Sequence, residues 1–266
     1  LSAYHITARS WTILSCLLEE NPKYENIEIP QSDDEQKYLL RFLVNVRPPL
    51  PASEDFLTVQ DEYLTEENKS QGITDIKDLE SVSSGSDLYL WRGDITTLKV
   101  DAIVNAANSG MTGCWLPNHI CIDNCIHTFA GIQLRKVCAE IMEKQGHEEP
   151  TGKAKITPAF NLPCKFVIHT VGPIVEGKLT EFDCVLLASC YKSCLDLANK
   201  NGCTSIAFCC ISTGVFRFPQ EKAAEIAVRI VREWKENTGD KMKVIFNVFG
   251  EKDEAIYRGL LYDRKN

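Results

Sequence analysis

Three side chains of metal-ligating type lie close together in one predicted loop. Cys114, His119 and Cys121 follow a C-x4-H-x-C spacing. Thiolate and imidazole ligands together suit zinc. Three protein ligands and an open position are typical of catalytic zinc, whereas a fourth ligand from Cys125, one helical turn after Cys121, would indicate a structural site. The spacing predicts a metal site and leaves both roles open.

A carboxylate and a histidine follow this cluster at helical spacing. Asp123 and His127 are four residues apart and therefore share one face of a predicted helix. Asp123 could cap that helix, act as a general base or bind a sugar hydroxyl. We interpret His127 as a core residue rather than a ligand.

Two asparagines precede the cluster at the end of a buried strand, Val100–Val104. The small residues of the Asn105-Ala106-Ala107-Asn108 segment allow a ligand to approach the backbone. Each asparagine amide offers both donors and an acceptor. We expect Asn105 to brace the loop and Asn108 to reach a sugar, although bracing alone would also explain both.

Further ligand-type segments follow other predicted strands. The loop Ser212-Thr213-Gly214-Val215-Phe216 lies between a buried strand and a helix that begins at Pro219, an arrangement typical of an anion cradle for a diphosphate. Phe216 could cover a ribose or base. Asp94, in a turn before Ile95, could accept a hydrogen bond from an exocyclic amine such as that of adenine. Phe249, after the last strand, either stacks on a base or only packs.

The elements that position these residues alternate between strand and helix. This alternation indicates an α/β three-layer domain. The hydrophobic pattern predicts strands at 88–91, 100–104, 155–160, 166–171, 205–211 and 243–249, and helices at 123–146, 182–201, 219–237 and 255–262. Residues 1–85 instead predict a small helical cap, with helices over 8–20, from Ser32 to Leu43, and near 55–67. We expect this cap to pack on the domain formed by residues 86–266, with a lid or partner-docking arm as the alternative.

Composition narrows the class of protein. The chain has 266 residues, with 37 acidic against 29 basic side chains, which argues against nucleic-acid binding. No apolar run approaches the length of a membrane span, so no membrane partner is expected. The 12 cysteines mostly fall in core-like patterns, and no signal peptide opens the chain. We therefore expect reduced thiols and a cytoplasmic location.

Together these segments resemble the macrodomain family. The matching stretches appear in family order and are 93–96, 105–109, Ile126-His127 with Ala130-Gly131, and 211–216 with Phe218-Pro219. Arg217 stands where relatives often have glycine. The resemblance implies a three-layer α/β/α fold with a central mixed sheet.

One departure from the family pattern narrows the resemblance. The glycine-rich run of MacroD-type hydrolases is replaced here by 113–124, which carries the Cys-His-Cys cluster. This replacement is similar to the zinc-containing macrodomains of bacterial pathogens, which also have a helical N-terminal segment. Those enzymes remove mono-ADP-ribose from proteins and are often encoded beside a sirtuin-like ADP-ribosyltransferase and a lipoylated carrier protein. The resemblance implies a cytoplasmic bacterial hydrolase with such a protein substrate and with ADP-ribose as product.

The resemblance also implies roles for individual residues. Asp94 would hold the adenine amine with Ile95 beside it, and residues 212–216 would cradle the diphosphate and cover the inner ribose. Asn108 would bond the distal ribose. Our own hypothesis adds that Asp123 helps to orient this ribose and moves the proton. The three metal ligands would hold zinc (Zn²⁺) as a Lewis acid beside that ribose. A non-catalytic ADP-ribose reader and an O-acetyl-ADP-ribose deacetylase would use the same pocket and remain alternatives.

Overall fold

Three helices form the N-terminal part of the chain. They are α1 (Ser2–Glu19), α2 (Asp33–Val46) and α3 (Glu54–Ser70). This computed structural model describes residues 2–83 and 85–262. Ser32 and Ser53 cap α2 and α3, because each hydroxyl accepts a hydrogen bond from the backbone N–H three residues later. The helices predicted in residues 1–85 are therefore confirmed, with α1 beginning before Ala8 and α3 continuing to Ser70.

The three N-terminal helices have an apolar cluster of their own. Leu14, Leu43 and Tyr63 contribute to it from α1, α2 and α3, and all three side chains are buried. Ile132, from the helix that begins beyond residue 131, packs into the same cluster. The N-terminal helices are thus joined to the rest of the protein by apolar as well as polar contacts.

Six strands form the central sheet in the order β2-β8-β7-β4-β6-β5. Their bounds are β2 (Leu88–Arg92), β4 (Ala102–Ala107), β5 (Ala154–Pro158), β6 (Phe166–Val171), β7 (Ser205–Phe208) and β8 (Lys243–Val248). Neighbours pair in parallel except β5, which is antiparallel to β6. The predicted mixed sheet is confirmed. A short pair, β1 (Thr74–Asp75) with β3 (Leu98–Lys99), lies outside it and was not predicted.

The remaining helices cover the sheet. They are α4 (Ile122–Ala130), α5 (Ile132–Gln145), α6 (Glu181–Lys200), α7 (Gln220–Thr238) and α8 (Glu251–Tyr262). The chain moves one way along the sheet from β4 to β6, through α4, α5 and the edge strand β5, and the other way from β6 to β7 through α6. Because parallel crossovers are right-handed, the two connections lie on opposite faces. Three layers result.

One predicted helix is wrong. The pattern predicted a single helix from Asp123 to Gly146, but Gly131 divides it into α4 and α5. Gly131 has a φ angle of 100°, outside the helical region, and lies between the end of one helix and the beginning of the next. Hydrophobic spacing continues across the break because both helices face the same sheet, and for that reason the pattern alone did not show it.

Two further sequence expectations concern membrane-spanning segments and the state of the cysteines. Across residues 2–83 and 85–262, none of the helices combines the length and apolar character needed to cross a bilayer. All twelve cysteines are free thiols in the structure.

Candidate functional site

The direction of the chain reverses at the centre of the sheet and so defines a crevice. The loop after β4 leads to α4 on one face, and the loop after neighbouring β7 leads to α7 on the other. Ligands of open α/β sheets bind at such a reversal, beyond the carboxyl ends of the strands. The parallel strands β2 and β8 end at the same edge. The predicted site segments after β2, β4, β7 and β8 therefore belong to one edge of one sheet.

The three predicted metal ligands come together on the loop after β4. Here the metal-ligand loop means residues 113–121. Ligand atoms of Cys114, His119 and Cys121 all lie within 4.8 Å of one another, and Cys114 Sγ is 3.7 Å from His119 Nδ1. Bonds of about 2.0–2.3 Å in a tetrahedron place ligand atoms roughly 3.6 Å apart, so the spacing fits zinc. Burial raises the pKa of the Cys121 thiol to about 12, and a bound cation would oppose that effect by stabilising the thiolate.

Cys125 lies outside this cluster. Its sulfur accepts a hydrogen bond from Arg41 Nη2 at 3.3 Å, across the contact between α2 and α4. Burial raises the pKa of the Cys125 thiol, and the Arg41 charge partly offsets this. This cluster therefore consists of three ligands, and Cys125 serves a different contact.

Asp123 is buried at the start of α4, where its carboxylate accepts a hydrogen bond from each of the two asparagines singled out in the sequence. Asn105 Nδ2 donates to Asp123 Oδ1 at 2.7 Å, and Asn108 Nδ2 donates to Oδ2 at 3.3 Å. Burial raises the pKa of Asp123 to about 6, while these donors and the Arg135 charge act in the opposite direction. Cys121 occupies the N-cap position, so Asp123 is not the cap. Its carboxylate is held in one orientation by side chains.

Both asparagines brace the loop. Asn108 Nδ2 also donates to Gly113 O at 3.1 Å, and its Oδ1 accepts from Gly110 N at 3.0 Å. Asn105 is fully buried between Asp123 and His169. The expectation of bracing is met for Asn105, and Asn108 braces as well while remaining half-buried beside the carboxylate.

His127 is a core residue, as expected, and His169 lies in the core beside it. His169 is fully buried, with Thr157 Oγ1 at 2.9 Å from its Nε2. Burial lowers the pKa of His127 well below its usual value, so the ring is neutral, and its Nε2 is 3.6 Å from Asp123 Oδ1, too far for a hydrogen bond. A Cβ at Gly113 would lie 2.8 Å from the His127 ring, which explains the glycine at the start of the metal-ligand loop.

The loop after β7 has the backbone of a ligand cradle. Ser212 has a φ of 66°, and its buried Oγ has no hydrogen-bond partner among the described residues. A Cβ at Gly214 would meet nothing within 4 Å, and Val215 is exposed. Phe216 O accepts from Val175 N at 2.9 Å. Arg217 has a φ of 57°. Glycine, which the family resemblance leads us to expect at this position, adopts such a left-handed conformation without steric cost.

Asp94 and Phe249 lie at the ends of the two outermost parallel strands on one side of the sheet. Asp94 Oδ1 accepts from Thr96 N at 2.9 Å and from Thr96 Oγ1 at 2.7 Å, while Ile95 beside it is buried. Asn247 Nδ2, from β8, donates to Gly93 O at 2.9 Å and ties the Asp94 turn to the neighbouring strand. Phe249 is 81% exposed, which is unusual for a phenylalanine that only packs.

Several residues that shape the site were not identified from the sequence. Arg41 and Asn45 reach the metal-ligand loop from α2, and Arg135 reaches it from α5. Arg135 is a charged residue buried within an apolar helical pattern. That position is the one signal that the sequence offered for it. The contacts of Arg41 and Asn45 span more than seventy residues and leave no local pattern.

Comparison with known proteins gives a family and close relatives. Residues 104–227 match the Macro domain family. A protein-ADP-ribose hydrolase of Treponema medium is 65% identical over 251 residues, which cover 94% of this chain and 96% of that protein. A protein-ADP-ribose hydrolase of Staphylococcus aureus is 50% identical over 252 residues, or 94% of each chain.

A solved structure shares the fold. The Trypanosoma brucei macrodomain in complex with ADP-ribose superimposes with a TM-score of 0.65 at 30% sequence identity. The match covers 83% of this chain and 94% of that one, and therefore extends into the N-terminal helical part.

Proposed function

The chain belongs to the macrodomain family, and from that premise we propose that it hydrolyses mono-ADP-ribose from modified protein side chains with the aid of zinc. Hydrolysis of protein-linked ADP-ribose is the activity named for relatives that cover nearly the whole chain. The observation that carries the zinc proposal is the approach of three ligand atoms within 4.8 Å on the loop that leads into the helix of Asp123. A ligand cluster and a buried carboxylate therefore lie close together in the chain at the reversal point of the sheet.

The other site residues support binding of ADP-ribose along the carboxyl edge. Asp94 keeps one carboxylate oxygen for the adenine amine while Thr96 binds the other, and Ile95 lies beside it. Residues 212–216 receive the diphosphate at the N-terminal end of α7. The unpaired Ser212 hydroxyl and exposed Phe249 offer a donor and a stacking surface to this ligand.

The reaction breaks the bond between C1″ of the distal ribose and an oxygen of the protein side chain. The oxygen of water bonds to C1″, and the released protein carboxyl keeps the electrons of the broken bond. Asp123 accepts the proton of the attacking water, and Asn105 and Asn108 hold its carboxylate in position. Asn108 also orients the distal ribose from the same side.

The metal site fits zinc by donor type and spacing. Cys114, His119 and Cys121 would hold the ion and leave a position open. Bound there, zinc would act as a Lewis acid beside the distal ribose.

The substrate we propose is a mono-ADP-ribosylated protein, with ADP-ribose as the released product. The family resemblance supports a finer proposal, a lipoylated carrier protein modified by a sirtuin-like transferase at an acidic side chain in the bacterial cytoplasm. Free thiols such as those of this chain persist in that reducing compartment.

Release of ADP-ribose from a mono-ADP-ribosylated acidic peptide tests the proposal. We expect turnover with one zinc ion per chain, loss of turnover on treatment with a strong chelator, and recovery when zinc is added. Cys114→Ser should lower both zinc content and turnover. Cys184→Ser, a half-buried thiol on α6 outside the cluster, is the matched control and should change neither.

Three results would redirect the proposal. Tight ADP-ribose binding without release would favour a reader. Faster turnover of O-acetyl-ADP-ribose than of the peptide would favour the deacetylase. A folded, metal-free Cys114→Ser protein that turns over at the parent rate would remove zinc from the mechanism.

A further inference from the structure

We propose that the N-terminal helical segment positions the metal-ligand loop, and that Arg41 is the positioning residue through which it acts on His119. This inference rests on the metal site of the proposed function. It assigns a role to helices that carry none of the proposed metal ligands or substrate-binding residues.

Arg41 holds the loop on both sides of the ligand Cys121. Its Nη2 donates to His119 O at 2.8 Å and to Asn124 Oδ1 at 3.0 Å, and its Nε donates to the same Asn124 oxygen at 3.3 Å. Asn124 Nδ2 in turn donates to Leu116 O at 3.1 Å. One guanidinium group thus links the main chain of a metal ligand to the start of α4.

Asn45, one turn after Arg41 on α2, makes a second contact. Its Oδ1 accepts from Asn118 N at 2.9 Å, and its Nδ2 donates to Thr128 Oγ1 at 3.0 Å. Asn118 precedes His119 and has a φ of 55°. Such a left-handed residue persists where surrounding contacts hold it, and Asn45 supplies that contact from a buried position.

Arg135 holds the other end of the loop against the same helix. It donates to Thr112 O at 2.8 Å and to Cys114 O at 3.4 Å. Its remaining bonds go to the carbonyls at the C-terminal end of α2, at Val44 (3.1 Å), Asn45 (2.8 Å) and Arg47 (2.8 Å). Both ends of the loop are therefore fixed relative to α2.

This arrangement matters for metal binding because the loop contains no helix or strand. Ligands held in place before binding lose less conformational freedom when the ion enters. Groups that orient metal ligands typically contribute about 10–100-fold to metal affinity. A lysine at position 41 would keep the charge but not the planar fork that bonds His119 O and Asn124 Oδ1 together.

The test compares Arg41→Lys and Arg41→Met with Lys37→Met. Lys37 lies one turn earlier on α2 and bonds Glu67 rather than the loop, so its removal is the matched loss of a cation. Zinc affinity is measured by competition with a chromophoric chelator, and ligand geometry by the visible spectrum of the cobalt-substituted protein. We expect both Arg41 variants to bind zinc about 10–100-fold more weakly, with a changed cobalt spectrum. Lys37→Met should match the parent.

Activity supplies a further readout that a general loss of stability would not reproduce. Turnover of the Arg41 variants should fall at limiting zinc and recover in excess zinc, with ADP-ribose affinity unchanged throughout. If Arg41→Met fails to fold, the charge-retaining Arg41→Lys decides the question.

Two outcomes would overturn the inference and can be told apart. Parent-like zinc affinity and cobalt spectrum in Arg41→Lys would refute the positioning role and leave the proposed function intact. A parent protein that binds no zinc would refute both the metal site and this role.

Discussion

At Asp123, burial and hydrogen bonding act on one carboxylate in opposite directions. Burial raises its pKa, whereas the amides of Asn105 and Asn108 stabilise the charged form. Each amide bonds a different oxygen of the carboxylate. The side chain is therefore fixed in orientation at the place where the proposed reaction needs a proton acceptor.

We predict that Asp123→Asn lowers the rate of ADP-ribose release by at least about 100-fold, because a neutral amide cannot accept the proton. Zinc content and ADP-ribose affinity should remain close to those of the parent. Asp196→Asn on α6 is the control, since the Asp196 carboxylate bonds Lys192 and Trp234 and lies outside the site. Single-turnover release is the measurement, and a parent-like rate in Asp123→Asn would exclude Asp123 as the base.

Among the secondary-structure elements, the break between α4 and α5 decides where two functional side chains point. Gly131 lets α5 begin in a new direction, so that α4 presents Asp123 and α5 presents Arg135 to the same loop. A Cβ at Gly131 would lie 2.7 Å from Gln133 Oε1 and 2.9 Å from Gln60 Nε2. The break is thus fixed by backbone conformation and by crowding against α3.

Gly131→Ala should lower the free energy of unfolding by about 2–3 kcal/mol, because both strain and crowding oppose the new methyl group. Gly146→Ala is the matched control. Gly146 also has a positive φ, 74°, but its Cβ would meet nothing within 4 Å, so strain alone should cost roughly 1 kcal/mol. Urea denaturation compares the two, and equal losses would show that neither the crowding at Gly131 nor its more extreme backbone angles, φ 100° and ψ 169°, add to the cost.

Asp101 ties the start of β4 to the segments before β6 and β7. Thr204 donates to its Oδ2 through N (2.7 Å) and Oγ1 (2.6 Å), and Lys165 Nζ lies 2.6 Å from Oδ1. Burial raises the pKa of Asp101, but these partners outweigh it and leave the pKa below the usual 3.8. The charged form therefore stabilises the fold above about pH 4, and this contribution disappears as the pH falls through the lowered pKa.

Asp101→Asn should accordingly lower the free energy of unfolding by about 1 kcal/mol at pH 7, a modest loss because Lys165 is largely exposed and solvent screens the pair. The difference from the parent should shrink below pH 4. Urea denaturation at several pH values between about 3 and 7, which bracket the ordinary pKa of an aspartate carboxyl, measures this difference in stability. A deficit that does not change with pH would assign the loss to packing instead.

On the scale of the whole molecule, the N-terminal helices contact the sheet domain through hydrogen bonds as well as through the apolar cluster that includes Ile132. Gln60 and Asn68 on α3 bond the backbone around α4 and α5, at Ile132 N (3.0 Å) and Phe129 O (3.2 Å). Arg135 bonds the end of α2 from the opposite side. These contacts couple the stability of the helices to that of the sheet domain.

Arg135→Met should lower the free energy of unfolding by about 3 kcal/mol, because buried carbonyls lose a charged donor. Amide hydrogen exchange should accelerate more in α1–α3 than in the central sheet, since the contact between them is weakened. Arg229→Met, which removes an exposed pair with Glu233 on α7, should change stability by less than about 1 kcal/mol. Uniform acceleration in both regions would contradict this coupling.

Local pattern determined much of this protein in advance. Alternating strand and helix signals predicted the α/β class, and the mixed sheet followed from the family resemblance. The spacing of Cys114, His119 and Cys121 was sufficient to predict a ligand cluster, because neighbours within one short loop cannot separate far.

Only the tertiary structure decided the break at Gly131, the use of Asn108 as a brace and the exclusion of Cys125 from the cluster. It also showed that Arg41, Asn45 and Arg135 hold the loop. A hydrogen bond between residues far apart in the chain depends on how the helices pack, and hydrophobic periodicity carries no information about the partner of a polar side chain. Pattern specified the elements and the local ligands, while packing selected the contacts between them.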